Sequence, residues 1–165
     1  MRDQLTDNEY CEILKERIRA IYEATDPVYC PYFEQKVNFN ADGFHHFRYN
    51  TLGAERHKRV QIVRYKLFSL APLMIRKAGT VQQHRRAVGA IGRKHKDGMR
   101  PTKLIEDWCF SALMLFHGRE ITVKVVIRKI GDGNLNFFSI MPHRAPDYLR
   151  ELDDLGSSSN QKHRD

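Results

Sequence analysis

The chain has 165 residues, of which 41% are hydrophobic, and it carries 28 Lys and Arg against 20 Asp and Glu, a formal net charge of +8. This length and apolar content are sufficient for one domain with its own core. The basic excess lies between residues 36 and 130, where 20 basic and 6 acidic residues give a net charge of +14. Such a surplus favours a polyanionic partner over a merely solvated basic surface.

Three widely spaced cysteines, Cys11, Cys30 and Cys109, argue against a disulfide framework and against a zinc knuckle. The first ten residues are too polar for a signal peptide, and the apolar run at 67–75 is too short to span a bilayer. We therefore expect a cytoplasmic protein that makes no membrane contact.

The N-terminal third contains one clear helix. Thr6 and Glu9 have the spacing of a capping box, and apolar residues then recur at helical intervals, which predicts a helix over 7–24. The two prolines in 25–35 indicate a loop that leads into a strand at 36–39. We interpret Asn-Ala-Asp-Gly at 40–43 as a turn and 44–49 as the next strand.

A second helix is predicted from about Glu55, with Val60, Val63, Leu67, Leu70 and Met74 facing inward. Pro72 should break or restart this helix near Ala71, and Gly79 is a plausible stop. The strongly cationic segment 80–105 is assigned no further than a strand flanked by loops.

Two hairpins are predicted near the end of the domain, with turns at His117-Gly118 and Asp132-Gly133. The first pairs Trp108 with Ile127, Phe110 with Val125 and Ala112 with Val123. A two-residue loop in the second pairs Arg128 with Phe137, Val126 with Ser139 and Lys124 with Met141. Alternation then places Phe138 and Ile140 on the core face and Lys124, Arg128, Phe137 and Ser139 on the opposite face.

The predicted domain is therefore 1–144, an α+β fold with N-terminal helices packed on an antiparallel β-sheet that ends in a three-stranded meander. Residues 145–165 are interpreted as a short acidic helix followed by a disordered tail.

The stretch "NFNADGFHHFRYN" (residues 38–50) supplies the main catalytic candidates. In a strand, His46 and Arg48 share one face while His45, Phe47 and Tyr49 share the other. A histidine moves a proton at neutral pH and a guanidinium neutralises charge on a phosphate, which is what RNA cleavage without a metal requires. The alternative is that both histidines are ordinary sheet residues.

Lys124, Arg128, Phe137 and Ser139 resemble a nucleotide platform, with cations for phosphate and an aromatic ring for stacking. Arg128 could instead form a structural pair with cross-strand Asp107. A basic track that could follow a nucleic-acid backbone, although such charge runs are more often simply solvated, consists of His84, Arg85, Arg86, Arg93, Lys94, His95, Lys96, Arg100 and Lys103. The candidate RNA-binding residues are Lys124, Phe137, Tyr49, Arg85, Arg86, Arg93 and Lys94.

No metal-ligand spacing is present among the eight histidines, and the loose glycine pair Gly89 and Gly92 does not make a dinucleotide or phosphate loop. We predict neither a metal nor a cofactor.

The element order, together with residues 37–49 and 123–141, resembles the barnase, EndoU, colicin and RelE-like (BECR-fold) ribonuclease superfamily, in particular its small phage- and mobile-element-borne members. This resemblance implies a metal-independent endoribonuclease, a toxin or effector that cleaves RNA by 2′-hydroxyl attack and has a possible antitoxin or immunity protein as partner. It implies that His46 is the general acid or base, that Arg48 and Arg128 hold the phosphate and that Ser139 lies beside it. His84 and His143 are candidates for a second catalytic histidine.

Two other classes of function remain open. The first is an RNA-binding module without catalytic activity, because Gly43, Phe44 and Tyr49 partly match the aromatic strand of RNA-recognition domains. The second is a protein-binding accessory factor of a mobile element, which burial of His46 and Arg48 in apolar surroundings would favour.

Overall fold

The structure, a computed structural model, describes residues 5–143 of the chain. The prediction for 145–165 therefore lies outside the described residues. The elements in chain order are α1 (Asp7–Glu23), β1 (Val28–Cys30), β2 (Gln35–Val37), α2 (Ala41–Arg48), α3 (Lys58–Leu67), a 3-10 turn (Phe68–Leu70), α4 (Ala71–Lys77), β3 (Gln83–Ala90), β4 (Thr102–Phe116), β5 (Arg119–Ile130) and β6 (Asn136–Pro142). The predicted α+β class is confirmed.

Helix α1 forms as its sequence predicts. The Thr6 hydroxyl accepts a hydrogen bond from the Glu9 amide at 3.2 Å, and the Glu9 carboxylate accepts one from the Thr6 amide at 2.8 Å. This reciprocal pair satisfies two amides that the first turn leaves without helical partners. The buried stripe of the helix is Cys11, Leu14, Ile18 and Tyr22.

The segment 41–48 is helical, so the predicted turn and strand are wrong. The Asn40 side chain accepts from the Gly43 amide at 3.1 Å and caps α2. Gly43 is in this helix because a Cβ there would run into the Phe137 carbonyl oxygen and the Tyr22 hydroxyl. The glycine that resembles a turn residue in the sequence is thus required by close packing.

The predicted break at Pro72 is confirmed, because a 3-10 turn separates α3 from α4 and Pro72 lies in the first turn of α4. The inward face agrees with the predicted one at Leu67 and Met74, which are buried, but not at the other three positions. Val60, Val63 and Leu70 are half-buried, while Ile62, Tyr65 and Phe68 are fully buried.

The four long strands form an antiparallel meander in the order β3-β4-β5-β6, and its first strand, β3, is the strand expected within 80–105. At the β4–β5 hairpin, Trp108 pairs with Ile127, Phe110 with Val125 and Ala112 with Val123, all as predicted. The His117-Gly118 turn has positive φ at both residues, the geometry of a type I′ turn.

The β5–β6 connection is longer than the two-residue loop expected from Asp132-Gly133. Gly131 has the positive φ there, and β6 begins only at Asn136. Arg128 therefore pairs with Asn136, not with Phe137 as predicted, and a bulge between Val126 and Ile127 restores the predicted pairing of Val126 with Ser139.

The bulge exchanges the predicted orientations of two aromatic residues. Phe137 is 1% exposed and belongs to the core, whereas Phe138 is half-buried outside it.

The core lies between the helices and one face of the sheet, and Tyr22 is in ring contact there with Phe39, Phe44, Phe47, Phe68 and Phe137. We call the opposite face the outer face; by strand alternation it carries Arg85, Asp107, Lys124 and Arg128.

No helix within residues 5–143 is long and apolar enough to cross a membrane.

Candidate nucleic-acid site

A cavity of about 310 Å³ opens between α2 and the adjoining ends of β5 and β6. Its polar wall includes Asp42, His45 and His46 from α2, and Arg128 and Asn136 from the two strands. Sequence analysis assigned the two histidines to opposite sides of a strand. On a helix, neighbouring residues are about 100° apart, so both reach the same cavity.

His46 is held by stacking and by an arginine that the sequence did not single out. Its ring stacks on Phe138 with a centroid distance of 4.2 Å. Arg56 Nη2 lies 3.0 Å from His46 Nε2, and Arg56 Nε donates to the His46 carbonyl oxygen at 3.1 Å. Because a guanidinium only donates, Nε2 is the acceptor and the proton of the neutral ring is on Nδ1.

The surroundings of His46 keep its ring neutral. Burial of the ring, 8% exposed, lowers its pKa from the ordinary 6.5 to about 3, and the positive charges of Arg56, Arg64 and Arg128 lower the pKa in the same direction. At neutral pH this imidazole can therefore accept a proton but has none to give as an acid. With a pKa of about 3, the neutral ring is a weak base in the free protein.

Arg128 is positioned by two contacts. Its Nε and Nη2 donate to the two carboxylate oxygens of Asp107 at 2.8 and 2.9 Å, and its Cζ lies 3.5 Å from the centre of the Phe138 ring. The structural pair left open by the sequence is therefore present. The bidentate bond leaves Nη1 as the guanidinium nitrogen with no hydrogen bond within residues 5–143, and Arg128 also lines the cavity.

Ser139 lies beside this cluster but does not line the cavity. It is 3% exposed, and its hydroxyl accepts a hydrogen bond from Arg64 Nη1 at 2.9 Å. A hydroxyl that is buried and already bonded serves to position Arg64, which is one of the charges acting on His46. A direct contact of Ser139 with a bound phosphate is not supported.

Arg48 is outside the cluster, which corrects its predicted pairing with His46. Two residues along a helix are about 200° apart, so the two side chains leave α2 on different sides. Arg48 instead pairs with Glu55 at 3.3 Å, and its guanidinium lies 5.2 Å from the Tyr49 ring centre. Tyr49 in turn stacks on His45 at 4.5 Å.

The proposed second histidines are also distant from this cavity. His84 stacks on Trp108 at 4.9 Å and bonds Glu106 at 2.9 Å, on the face of the sheet opposite to Arg128. His143 follows the other end of β6. His45 is the second histidine that the cavity does bring to His46.

The candidate RNA-binding residues other than Tyr49 divide into four groups. Phe137 is excluded as a stacking residue because it is buried in the core. Arg85 and Lys124 share the outer face, whereas Arg86 is on the other face and lies 3.8 Å from Glu106. Arg93 and Lys94 are exposed in the connection at 91–101.

Sequence reasoning missed Arg56, Arg64 and Phe138. No local signal links either arginine to its partner, because the contact of Arg56 with His46 spans 10 residues and the bond from Arg64 to Ser139 spans 75. Phe138 was assigned to the core because a bulge has no reliable sequence signature. Within residues 5–143, no group of three or more His, Cys, Asp or Glu side chains is arranged to hold a metal ion.

The chain matches no protein-family model, no curated protein and no solved structure.

Proposed function

We propose that the protein binds RNA and cleaves it at this cavity without a metal ion. The observation that carries the proposal is a neutral imidazole, His46, held at the cavity wall among the guanidinium groups of Arg56, Arg64 and Arg128. A base surrounded by cations matches the two requirements of 2′-hydroxyl attack, which are removal of a proton and neutralisation of the phosphorane charge.

Binding of a phosphodiester would change the state of His46. An anion beside the cluster offsets the arginine charges that lower the pKa of His46, so that pKa rises toward the range of an effective base. The same anion offers Arg56 Nη2 an acceptor in place of His46 Nε2. Nε2 then takes the proton from the 2′-hydroxyl, the 2′-oxygen bonds to phosphorus, and the 5′-oxygen leaves with a proton from solvent.

The cations of the protein supply longer-range attraction. Arg85 and Lys124 on the outer face and the exposed Arg93 and Lys94 can neutralise phosphates on either side of the cleaved bond. The order of helices followed by an antiparallel meander agrees with that of the superfamily that the sequence resembles. Membership of that superfamily, a toxin role, a phage or mobile-element origin and an antitoxin partner remain parts of the proposal.

The test uses the full chain, end-labelled RNA and excess EDTA. We expect cleavage products with 2′,3′-cyclic phosphate and 5′-hydroxyl ends, while DNA, which lacks the attacking hydroxyl, stays intact. His46→Gln should slow cleavage by about 10² to 10⁴ fold, the typical contribution of a general base. His84→Gln is the matched control, because His84 lies on the other face of the sheet. Equal rates for all three proteins would remove His46 from the mechanism.

RNA binding without chemistry is the second candidate, and a specific observation favours it. His46 Nε2 is occupied by Arg56, and two nitrogens of Arg128 are occupied by Asp107, so these groups are engaged before any substrate arrives. If no cleavage occurs but RNA binds, this candidate replaces the enzyme.

Binding is measured by fluorescence anisotropy at several salt concentrations. The affinity for RNA should fall steeply as the salt concentration rises. Changing Arg93 and Lys94 to Glu should weaken binding to all RNA sequences alike. The slope of log affinity against log salt concentration should then decrease by roughly 0.7 to 0.9 for each phosphate that is no longer neutralised. Lys36→Glu is the control, an exposed cation on the small β1–β2 hairpin. Affinity that does not depend on salt, or no affinity, would favour the protein-binding accessory factor.

A further inference from the structure

Strand β4 has an open edge over its last five residues. Pairing with β3 ends at Cys109, and just beyond it the Gln82 side chain accepts from the Ser111 amide at 2.7 Å. From Ala112 to Phe116, β5 is the only strand beside β4 within residues 5–143. The other edge of this stretch is therefore not paired with any strand that the structure describes.

The backbone groups directed out of this edge belong to two exposed leucines. The Cys109 carbonyl and the Ser111 amide both point toward β3, so alternation directs the amides and carbonyls of Leu113 and Leu115 the same way. Their side chains are 64% and 69% exposed on the outer face. Native edges usually carry a charge or a proline that discourages pairing, but "ALMLF" (residues 112–116) has neither.

A cavity of about 260 Å³ lies beside the same edge. Its apolar wall is formed by Leu73 and Met74 of α4 and by Phe110, Ala112 and Met114 of β4. A strand added to the edge would therefore place its alternate side chains next to an apolar pocket. Main-chain bonds combined with such a pocket are the two components of recognition by strand addition.

We propose that a second copy of this chain occupies the edge, pairing antiparallel so that the two sheets become continuous. With Met114 opposite the partner subunit's Met114, Leu113 pairs with the partner subunit's Leu115, and Leu115 pairs with the partner subunit's Leu113. On the other face, the partner subunit's Phe116 comes opposite Ala112, at the wall of the cavity. This register stops short of the position where Gln82 already occupies the edge.

A second copy satisfies conditions that an arbitrary strand does not. The segment is self-complementary, because in this register every apolar side chain meets an apolar side chain on the same face. It is also an uncharged run in a chain of net charge +8, so two copies approach there with no charged side chains facing each other in the strands. The pairing is isologous, as a two-fold dimer requires. The proposed dimer does not depend on the proposed RNA activity.

The first experiment measures the mass of the full chain by light scattering across a concentration series. We expect the mass to rise from 19.4 kDa to twice that value. Leu115→Lys should leave a monomer, since each new cation would lie opposite the partner subunit's Leu113 in an otherwise apolar pairing. Leu113→Pro should also leave a monomer, because it removes an amide that only the added strand uses. Leu52→Lys, at a 91% exposed leucine far from this edge, should dimerise normally.

The second experiment fixes the register by cross-linking. Residues directly opposite in a non-hydrogen-bonded pair have Cα atoms roughly 4.5 Å apart, within the range of a disulfide. Met114→Cys should therefore give a covalent dimer on mild oxidation, while the control Leu52→Cys should not. The native cysteines Cys11, Cys30 and Cys109 are all buried and should not compete.

Three results would overturn the proposal. One is a monomer at every concentration, and another is a dimer that survives both Leu115→Lys and Leu113→Pro when circular dichroism shows that these variants are folded. The third is slow hydrogen exchange at the Leu113 and Leu115 amides in a monomeric sample, which would mean that another part of this chain covers the edge.

Discussion

Acidification from pH 7 to pH 5 should destabilise the protein through one residue, His46. Burial and the neighbouring arginines lower the pKa of the folded imidazole to about 3, whereas its ordinary value is 6.5. Between these two values the unfolded state binds a proton that the folded state does not, so the free energy of unfolding falls as the pH falls. The stability contributed by neutral His46 is complete above pH 6.5 and is lost progressively toward pH 3.

The size of the effect follows from the two pKa values. Protonation stabilises the unfolded state by about 2 kcal/mol at pH 5 and by about 0.2 kcal/mol at pH 7, while the folded state gains almost nothing at either pH. We therefore expect the free energy of unfolding to drop by about 2 kcal/mol between pH 7 and pH 5, beyond the change contributed by other groups. The lowered pKa values of Glu9, Glu12 and Glu55 act below their ordinary value of 4.5 and contribute little in this window.

The assay is urea unfolding followed by circular dichroism at both pH values. His46→Gln keeps a side-chain acceptor for Arg56 but does not titrate, so its pH-dependent loss of stability should be smaller than that of the wild type by about 2 kcal/mol. The matched control is His45→Gln, which alters the exposed neighbour on the same helix. If the wild type and His46→Gln lose the same stability, or if the folded imidazole titrates near 6.5 by NMR, our account of this cluster is wrong.

Two further predictions concern packing and the arginine clamp. Gly43→Ala should lower the free energy of unfolding by about 1–3 kcal/mol, because the added methyl collides with the Phe137 carbonyl. The control is Gly79→Ala, where a Cβ would have no atom within 4 Å, and it should leave the denaturant midpoint nearly unchanged. Arg128→Lys should cost about 1–3 kcal/mol of stability and weaken RNA binding, because an ammonium cannot make the bidentate bond to Asp107. An unaltered urea midpoint in Gly43→Ala, or wild-type RNA affinity in Arg128→Lys, would contradict these expectations.

Local signals in the sequence determined the elements that were predicted well. The capping box of α1 and the His117-Gly118 turn each depend on residues within three positions of each other in the chain, and each produced the right element. The β4–β5 register followed from that turn alone, since a two-residue loop leaves no freedom in pairing.

The errors arose where distant residues decide local structure. Gly43 lowers helix propensity, so "ADGFHHFR" (residues 41–48) resembles a turn and a strand until the approach of Phe137 and Tyr22 is known. The Asn40 cap and the i, i+3 spacing of Phe44 and Phe47 were the helical signals available. The bulge in β6 and the contacts of Arg56 and Arg64 with their partners had no comparable signal.

The bulge and Gly43 together explain why His46 can occupy a site and not simply the core. Gly43 allows α2 to lie against Phe137, and the bulge turns the next residue, Phe138, away from the core toward His46. Three guanidinium groups and a buried imidazole can coexist there only because the imidazole is uncharged, since a fourth cation would be strongly unfavourable at this depth. A purely structural acceptor for Arg56 needs no titratable ring and no adjoining cavity. The combination supports our proposal that the cavity binds an anion, because an anion would stabilise the arginines and the protonated form of His46 at the same time.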